Sequence, residues 1–420
     1  MRKGLLLGAG FSVELGMPTS QEFSNAFFNF LNPNKLKNIL SIMKTYEPYG
    51  NNNPTDINEY DILFNVFIES WNNSIDNYET LLRNIDNVEC HDRAKELSKN
   101  HFLGKIKALI NESFFIFQTH TYPIYKRNKE LYKQLFYNFT EKELWIFSLN
   151  HDVIIEMLCK DFGINLCIGG KKTSKIPFNN VGSKQTITFT ETDNIYTNLN
   201  NLYFAREEKG VNLIKLHGGI NEFIYNDEEK RMFFLPLENQ TLEEYLSELE
   251  GLLHKPHYFY HGRPIHTGGE IVITDDTGEM QFLFPSILSG PKKYSPTINE
   301  RKGEEKMMFF SNIIENIDEL YVIGYSFGDE HINNRIIKAM YLNPNMKIWI
   351  VDPYNNKWDI LNPFDYELRI RGINATTTQA VRYITTNEWP TNKDEDELKI
   401  VATQRTEIYN KLNNVVFKRN

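Results

Sequence analysis

Near its start the chain reads Leu5-Leu6-Leu7-Gly8-Ala9-Gly10-Phe11-Ser12, an apolar run that passes directly into small and polar residues. Three later segments repeat the pattern in which small or polar residues follow an apolar run: Ser148-Leu149-Asn150-His151-Asp152, Lys215-Leu216-His217-Gly218 and Gly324-Tyr325-Ser326-Phe327-Gly328-Asp329. Short apolar runs of this kind predict strands buried in a parallel sheet. Because open parallel sheets bind ligands beyond the carboxyl ends of their strands, the four segments together predict one nucleotide pocket.

The composition restricts the class of protein. The chain has 420 residues, of which 41% are hydrophobic and 24% charged, as expected for a folded globular protein. A formal net charge of -9 argues against bulk affinity for nucleic acid, so no direct nucleic-acid binding is expected. The three cysteines, Cys90, Cys159 and Cys167, form no Cys-x-x-Cys pair; they fit a reducing cytoplasm and exclude a four-cysteine zinc site. Because no apolar run approaches the roughly 20 residues of a membrane helix, we expect a cytoplasmic protein without membrane contact.

The order of patterns along the chain predicts an α/β fold: a Rossmann-like parallel sheet with helices on both faces. Apolar residues at helical spacing from about 30 to 140 predict a large, mostly helical insertion after the first strand. The polar segment 169–209 predicts a hairpin or a flap. We expect residues 1–380 to form the ligand-binding and catalytic domain, and residues 381–420 to form a helical tail that packs on it or serves an oligomer contact.

The glycine turn Gly8-Ala9-Gly10 suits a diphosphate, because glycines allow close backbone approach and a following helix supplies N–H donors. A tight strand–helix turn without a ligand explains the same residues equally well. The dehydrogenase fingerprint requires a third glycine where Val13 stands, and an acidic residue near position 30, where the chain reads Phe28-Asn29-Phe30. Hydride transfer is therefore disfavoured.

Three side chains at the strand ends are candidates for chemistry. Asn150 and Asp152 alternate on an extended segment and so can face one ligand together, although one of them is also expected to cap the next helix. His217, before Gly218, is placed as a general base, with a structural hydrogen-bonded histidine as the alternative. Four further histidines are interrupted by prolines and do not predict a metal site: His254, His257, His261 and His266.

Taken together, these segments resemble the sirtuin family, and within it the bacterial sirtuin-like proteins of antiphage defence. Gly8 to Ser12 is similar to the sirtuin Gly-Ala-Gly-x-Ser, Ser148 to Asp152 to Thr-Gln-Asn-Ile-Asp, and Gly324-Tyr325-Ser326 to Gly-Thr-Ser. The resemblance implies that Asn150 and His217 are catalytic, with Asp152 as acidic partner. The residues that it implies for NAD binding are Gly8, Ala9, Gly10, Phe11, Ser12, Gly324, Tyr325, Ser326, Asp329 and Asp352.

The chain departs from sirtuin deacylases in two ways. It lacks the cysteines of their zinc ribbon, and its interval from Asn150 to His217 is far longer. Both departures favour water as the acceptor. The resemblance thus implies an NAD+ hydrolase that releases nicotinamide and ADP-ribose and depletes NAD+ in abortive-infection defence, with NAD+ as substrate and no zinc. It further implies a homo-oligomer and a HerA-type ATPase partner. The alternatives are an NAD-dependent ADP-ribosyltransferase or deacylase, and a non-catalytic sensor of NAD or ADP-ribose.

Overall fold

The computed structural model describes most of the chain. The described residues are 2–45, 54–73, 77–139, 141–170, 172–177, 186–192, 203–225, 230–255, 258–264, 271–274, 280–287, 304–354, 359–365, 367–388 and 392–415.

The main sheet contains seven parallel strands. In chain order they are β1 (Lys3–Leu7), β2 (Glu143–Ser148), β3 (Leu166–Cys167), β6 (Gly210–Lys215), β13 (Glu319–Ile323), β14 (Lys347–Val351) and β15 (Ile370–Ile373). Their order across the sheet is β15-β14-β13-β1-β2-β6-β3, so the direction of strand addition reverses between β1 and β13. In parallel α/β sheets a ligand binds at such a reversal.

Both faces of this sheet are covered, as the continuous apolar strands predict. Leu5 and Leu7 belong to one hydrophobic core and Leu6 to another, because successive side chains on a strand point to opposite faces. The helices are α1 (Ala9–Ser12), α2 (Ser20–Phe30), α3 (Pro33–Met43), α4 (Ile57–Asn72), α5 (Tyr78–Asp86), α6 (Arg93–Asn128), α7 (Lys133–Phe139), α8 (Ile154–Asp161), α9 (Leu242–His254), α10 (Glu304–Ile314), α11 (Glu330–Leu342), α12 (Asn362–Asp365), α13 (Thr377–Thr386) and α14 (Asn392–Val415). The predicted α/β class, Rossmann-like with helices on both faces, is confirmed.

The described chain between β1 and β2 is helical from α1 to α7, with short 3₁₀ segments at Val13–Leu15 and Lys129–Tyr132. Helix α2 begins with a capping box, since Glu22 N donates to Thr19 Oγ1 at 3.2 Å and Thr19 N donates to Glu22 Oε2 at 2.8 Å. These helices form a layer over one face of the main sheet and bring α2 and α5 to its carboxyl edge.

A second sheet is antiparallel. Four of its strands come from the chain between β6 and α10, and two come from the segment 169–209. Its strands are β4 (Lys172–Pro177), β5 (Thr186–Thr192), β7 (Glu222–Tyr225), β8 (Lys230–Phe233), β11 (Ile271–Thr274) and β12 (Met280–Pro285), and the pair β9 (Phe259–Tyr260) and β10 (Arg263–Pro264) stands apart. Strands β4 and β5 pair antiparallel where the sequence predicts a hairpin.

The C-terminal helix α14 packs on α6 and α2 and contacts the segment Val13–Leu15. Its residue Tyr409 donates to the carbonyl of Gly16 at 2.9 Å. The last helix is thereby fixed beside the first turn of the sheet. Within the described part of the chain, no helix is both long enough and apolar enough to cross a membrane.

Candidate active site

The turns that follow β1 and β13 pack backbone to backbone. A Cβ on Gly8 would lie 2.5 Å from the carbonyl oxygen of Gly324, and a Cβ on Gly10 would lie 2.7 Å from the Cα of Gly324. Gly324 itself has a φ of +65°, a conformation that favours glycine. The three glycines therefore have a structural reason: they allow two strand ends to touch at the point where the strand order reverses.

The N–H groups of this first turn are mostly committed inside the protein. Gly8 N donates to the carbonyl of Ile323, Gly10 N to that of Gly324, and Phe11 N to that of Gly8, each at 3.0 Å. The helix that follows is only four residues long. The turn thus offers a diphosphate fewer donors than the sequence pattern suggests.

Asn150, just beyond β2, is held in one orientation by the first turn. Its Nδ2 donates to the carbonyl of Gly8 at 3.0 Å and to Ser12 Oγ at 3.2 Å. These two bonds assign the amide, because both acceptors must face the nitrogen. Within the described residues Oδ1 of Asn150 has no hydrogen-bond partner. The side chain therefore presents an acceptor to the cavity.

Asp152 is the residue that caps the next helix. Its Oδ1 accepts from Ile154 N at 3.0 Å at the start of α8. Burial raises the pKa of Asp152, an effect partly offset by Lys215, the Ile154 N–H and the hydroxyl of Ser12. The Ser12 hydroxyl therefore links the two residues, since it donates to Asp152 and accepts from Asn150.

His217, after β6, is paired with a residue from a distant part of the chain. Its Nε2 lies 3.1 Å from Oδ2 of Asp329, and both side chains are largely buried. The other carboxylate oxygen of Asp329, Oδ1, accepts from His331 N at 3.0 Å and so caps α11. Asp329 is thus fixed by the helix that it begins, and it orients the imidazole.

Tyr325 and Asp352 complete the ends of β13 and β14. Tyr325 donates through its hydroxyl to Oδ1 of Asn333 at 2.9 Å, and this hydroxyl also accepts from Asp329 N at 3.1 Å. The carboxylate of Asp352 accepts from Tyr354 N at 2.7 Å. Both residues are therefore positioned by local hydrogen bonds at the sheet edge.

These strand ends surround a cavity of about 1060 Å³. Most of the residues that the sequence predicts for the site line it: Gly8, Ala9, Gly10, Asn150, Asp152, His217, Gly324, Tyr325, Ser326, Asp329 and Asp352. Two do not. Phe11 is buried behind the wall, with its ring edge on Tyr132 at 5.2 Å between centroids, and Ser12 acts through Asn150 and Asp152.

Other residues of the cavity wall were not predicted. His151, between Asn150 and Asp152, is buried; its Nδ1 lies 3.2 Å from the carbonyl of Gly218, and its ring packs edge-on to Phe114. The sequence signal for His151 is its position between Asn150 and Asp152 in the segment that follows β2. Glu14 is buried as well, and its carboxylate accepts from Thr376 and Thr378 at the start of α13. Burial raises the pKa of Glu14, and these hydrogen bonds oppose the shift.

Behind the cavity lies a layer of buried ion pairs. Lys215 Nζ is 2.8 Å from Oε1 of Glu156 and donates to the carbonyl of Asp152. Lys306 Nζ donates to both carboxylate oxygens of Glu222, at 2.6 and 2.8 Å, and to the carbonyl of Lys215. These buried ion pairs and hydrogen bonds stabilise the region just beyond β2 and β6, where Asp152 and His217 lie.

The described part of the chain offers no cluster of metal-ligating side chains. No group of three or more histidine, cysteine or acidic side chains could hold an ion there. Of the four clustered histidines, His257 and His266 lie outside the described residues, while His254 is exposed and packs on Phe115.

No protein-family model matches this sequence, and no curated protein matches it. A solved structure from "Structural Basis for the Mechanism and Regulation of Sir2 Enzymes" aligns with this chain at 11% sequence identity and a TM-score of 0.31. The alignment covers 95% of this chain and 93% of the other chain. The chain is thus distantly similar in structure to Sir2 enzymes. A likeness at this level concerns the fold only.

Proposed function

We propose that this protein hydrolyses NAD+ at the bond between nicotinamide and ribose, releasing nicotinamide and ADP-ribose. The observation that carries the proposal is the arrangement of one amide and one imidazole on a common cavity wall. Asn150 presents its oxygen to the cavity, and His217 is oriented by Asp329. The cavity lies beyond the strand ends where the strand order reverses, the position in which such sheets bind dinucleotides.

In the proposed reaction the carbon–nitrogen bond breaks as nicotinamide leaves with the bonding electron pair, and a water oxygen forms the new bond to the ribose carbon. Oδ1 of Asn150 accepts a hydrogen bond from the water or from a ribose hydroxyl. His217 accepts the proton that the water loses, and Asp329 stabilises the imidazolium. General base catalysis of this kind contributes roughly 10²–10⁴-fold. The products are nicotinamide, ADP-ribose and a proton.

Asp152 has a supporting role in this proposal. Its carboxylate is committed to the start of α8 and to Ser12, so it acts by holding the hydroxyl that orients Asn150. Ser326, after β13, and Asp352, after β14, both line the cavity and are the proposed contacts for the adenosine half of NAD+.

The direct test is to incubate the purified protein with NAD+ and to quantify nicotinamide and ADP-ribose by chromatography. We expect the two products in equal amounts, and their loss in Asn150→Ala and in His217→Ala. Asn316→Ala and His120→Ala are matched controls, because both residues are exposed and lie outside the cavity. Full activity in both site variants would sink the proposal.

The same experiment separates the alternative functions. An ADP-ribosyltransferase or a deacylase releases nicotinamide but transfers the rest of the molecule to an acceptor, so free ADP-ribose falls short of nicotinamide. A sensor binds ADP-ribose and releases no nicotinamide. The presence of a paired histidine favours catalysis, because a sensor requires the nucleotide contacts without the base.

The resemblance to sirtuin-like defence proteins extends the proposal to the cell. There the reaction would deplete NAD+ during abortive infection, in a homo-oligomer that works with a HerA-type ATPase. Sedimentation velocity tests the assembly, and a monomer would count against it. Nicotinamide release measured with and without the ATPase tests whether the partner sets the activity.

A further inference from the structure

One face of the C-terminal helix α14 forms part of the cavity wall. Leu398, Val401, Ala402 and Arg405 all line the cavity, and they are spaced as neighbours on one side of a helix. Lys399 lies at the edge of the same face. The last helix of the chain therefore contributes directly to the site built from the strand ends.

Arg405 differs from the other cations of the cavity. The described lining contains three, Arg83, Lys399 and Arg405, of which the first two are exposed. Arg405 is 9% exposed. One of its terminal nitrogens, Nη2, donates to Oε2 of Glu22 at 2.6 Å and to the Tyr409 hydroxyl at 3.4 Å. Its Nε is buried without a hydrogen-bond partner. Because buried polar groups in proteins are normally hydrogen-bonded, this N–H of the guanidinium calls for an acceptor.

Arg405 lies beside the N-terminus of a helix. Its partner Glu22 lies in the first turn of α2, an 11-residue helix whose first residues Ser20 and Gln21 also line the cavity. The first N–H groups of a helix have no acceptor within it and attract anions. An arginine and a helix N-terminus therefore meet at one wall.

A dinucleotide needs such a site because the rest of the cavity is acidic. Among the described residues, six carboxylates line it: Glu14, Glu79, Asp152, Asp329, Glu330 and Asp352. The glycine turn offers few free donors, since the N–H groups of Gly8, Gly10 and Phe11 are already bonded. A diphosphate in this cavity therefore depends on a cation that another element supplies.

We propose that Arg405 binds the diphosphate of the dinucleotide, which takes the place of Glu22 on the guanidinium. This inference rests on the proposed function, because it concerns how the same cavity holds its substrate. Arginine suits the task because its planar fork matches two phosphate oxygens at once. Helix α14 is then part of the binding site. In the ligand-free protein Glu22 pairs with Arg405, and the diphosphate replaces Glu22 when it binds.

The experiment is to titrate ADP-ribose into the full-length protein by isothermal calorimetry and to compare Arg405→Gln with Arg382→Gln. Arg382 lies on α13, pairs with Glu388 beyond the end of that helix, does not line the cavity, and serves as the control. We expect Arg405→Gln to weaken binding about tenfold or more, as for a lost charged hydrogen bond, while Arg382→Gln binds as wild type. Equal affinity in Arg405→Gln and wild type would overturn the inference, as would a wild-type protein that does not bind ADP-ribose.

A second variant guards against a folding defect in Arg405→Gln. Glu22→Gln leaves the arginine in place and removes the competing charge, so ADP-ribose binding should tighten several-fold; weaker binding would contradict the proposal. Nicotinamide release, measured in parallel, separates the two claims. A protein that binds ADP-ribose through Arg405 but releases no nicotinamide refutes the hydrolase and leaves the phosphate site standing.

Discussion

Nε2 of His217 and Oδ2 of Asp329 lie 3.1 Å apart although the two residues are separated by 112 positions in the chain. The contact joins the end of β6 to the start of α11, and so spans the strand ends between which the cavity opens. Because Asp329 also caps α11 through its other oxygen, the carboxylate has little freedom to turn away. A histidine held in this way has one fixed orientation toward the cavity.

If the protein hydrolyses NAD+ as proposed, replacing Asp329 by asparagine should leave the fold intact and lower the rate of cleavage by ~10²-fold, at the low end of the range for general acid–base catalysis. Asparagine can still cap α11. The imidazolium loses its negative partner, so the acidic limb of the pH–rate profile should move to lower pH. Asp318→Asn, at the opposite end of β13, is the control and should keep the wild-type rate and profile. An unchanged profile in Asp329→Asn would remove its positioning role.

Ser12→Ala should lower kcat without weakening ADP-ribose binding. The hydroxyl accepts from Asn150 and donates to Asp152, so its loss frees the amide to rotate and leaves a buried carboxylate short of one donor. The measurement is kcat together with the Kd of ADP-ribose. Ser113→Ala on α6, where the hydroxyl bonds only a carbonyl of its own helix, should change neither. A Kd that rises with unchanged kcat would mean that Ser12 serves binding instead.

Gly10→Ala should destabilise the protein by ~1–3 kcal/mol, the usual cost of overpacking, because its Cβ would meet the backbone of Gly324 at 2.7 Å. The matched control is Gly104→Ala in α6, where nothing lies within 4 Å of the added carbon. There alanine should stabilise by ~0.5–1 kcal/mol through its helix propensity. Urea unfolding of both variants measures the difference. If Gly10→Ala were as stable as wild type, the close approach of the two turns would not constrain this position.

Much of the sheet and of the site could be predicted from the sequence, because local signals determine them. The apolar runs match the strands, and small residues mark the strand ends. One physical reason was incomplete. The sequence explains Gly8 and Gly10 by a bound phosphate or a tight turn, whereas the structure shows that they allow the turn at Gly324 to pack against them. Sequence distance concealed that contact.

Residues that depend on strand order or on helix docking could not be predicted. The pairing of His217 with Asp329 requires the arrangement of β13, β1, β2 and β6. Arg405 lies in a polar helix whose position is set by contacts with α2, α6 and the segment Val13–Leu15. The burial of Glu14 and Glu222 could not be predicted from the hydrophobic pattern either, because an acidic residue by itself predicts exposure.

Glu222→Gln should be strongly destabilising, because Glu222 is fully buried between Lys306 and Arg231. Burial alone would raise the pKa of Glu222, but the two cations outweigh it and hold the pKa below its ordinary value. Removing the charge leaves both cations uncompensated, and breaking a buried pair costs ~3–5 kcal/mol.

The contribution of Glu222 to stability depends on pH. Because the folded state holds the pKa of Glu222 below its ordinary value of 4.5, the ionised carboxylate stabilises the fold at pH values above 4.5. This stabilisation is lost as the pH falls through the folded-state pKa. The gap between wild type and variant, measured by urea unfolding, should therefore shrink as the pH falls below 4.5. It should also shrink as the pH rises past about 7, the value to which burial lowers the pKa of Lys306. Glu207→Gln, which breaks an exposed pair with Lys142, should not change the unfolding midpoint, and a gap of the same size in both variants would refute the burial argument.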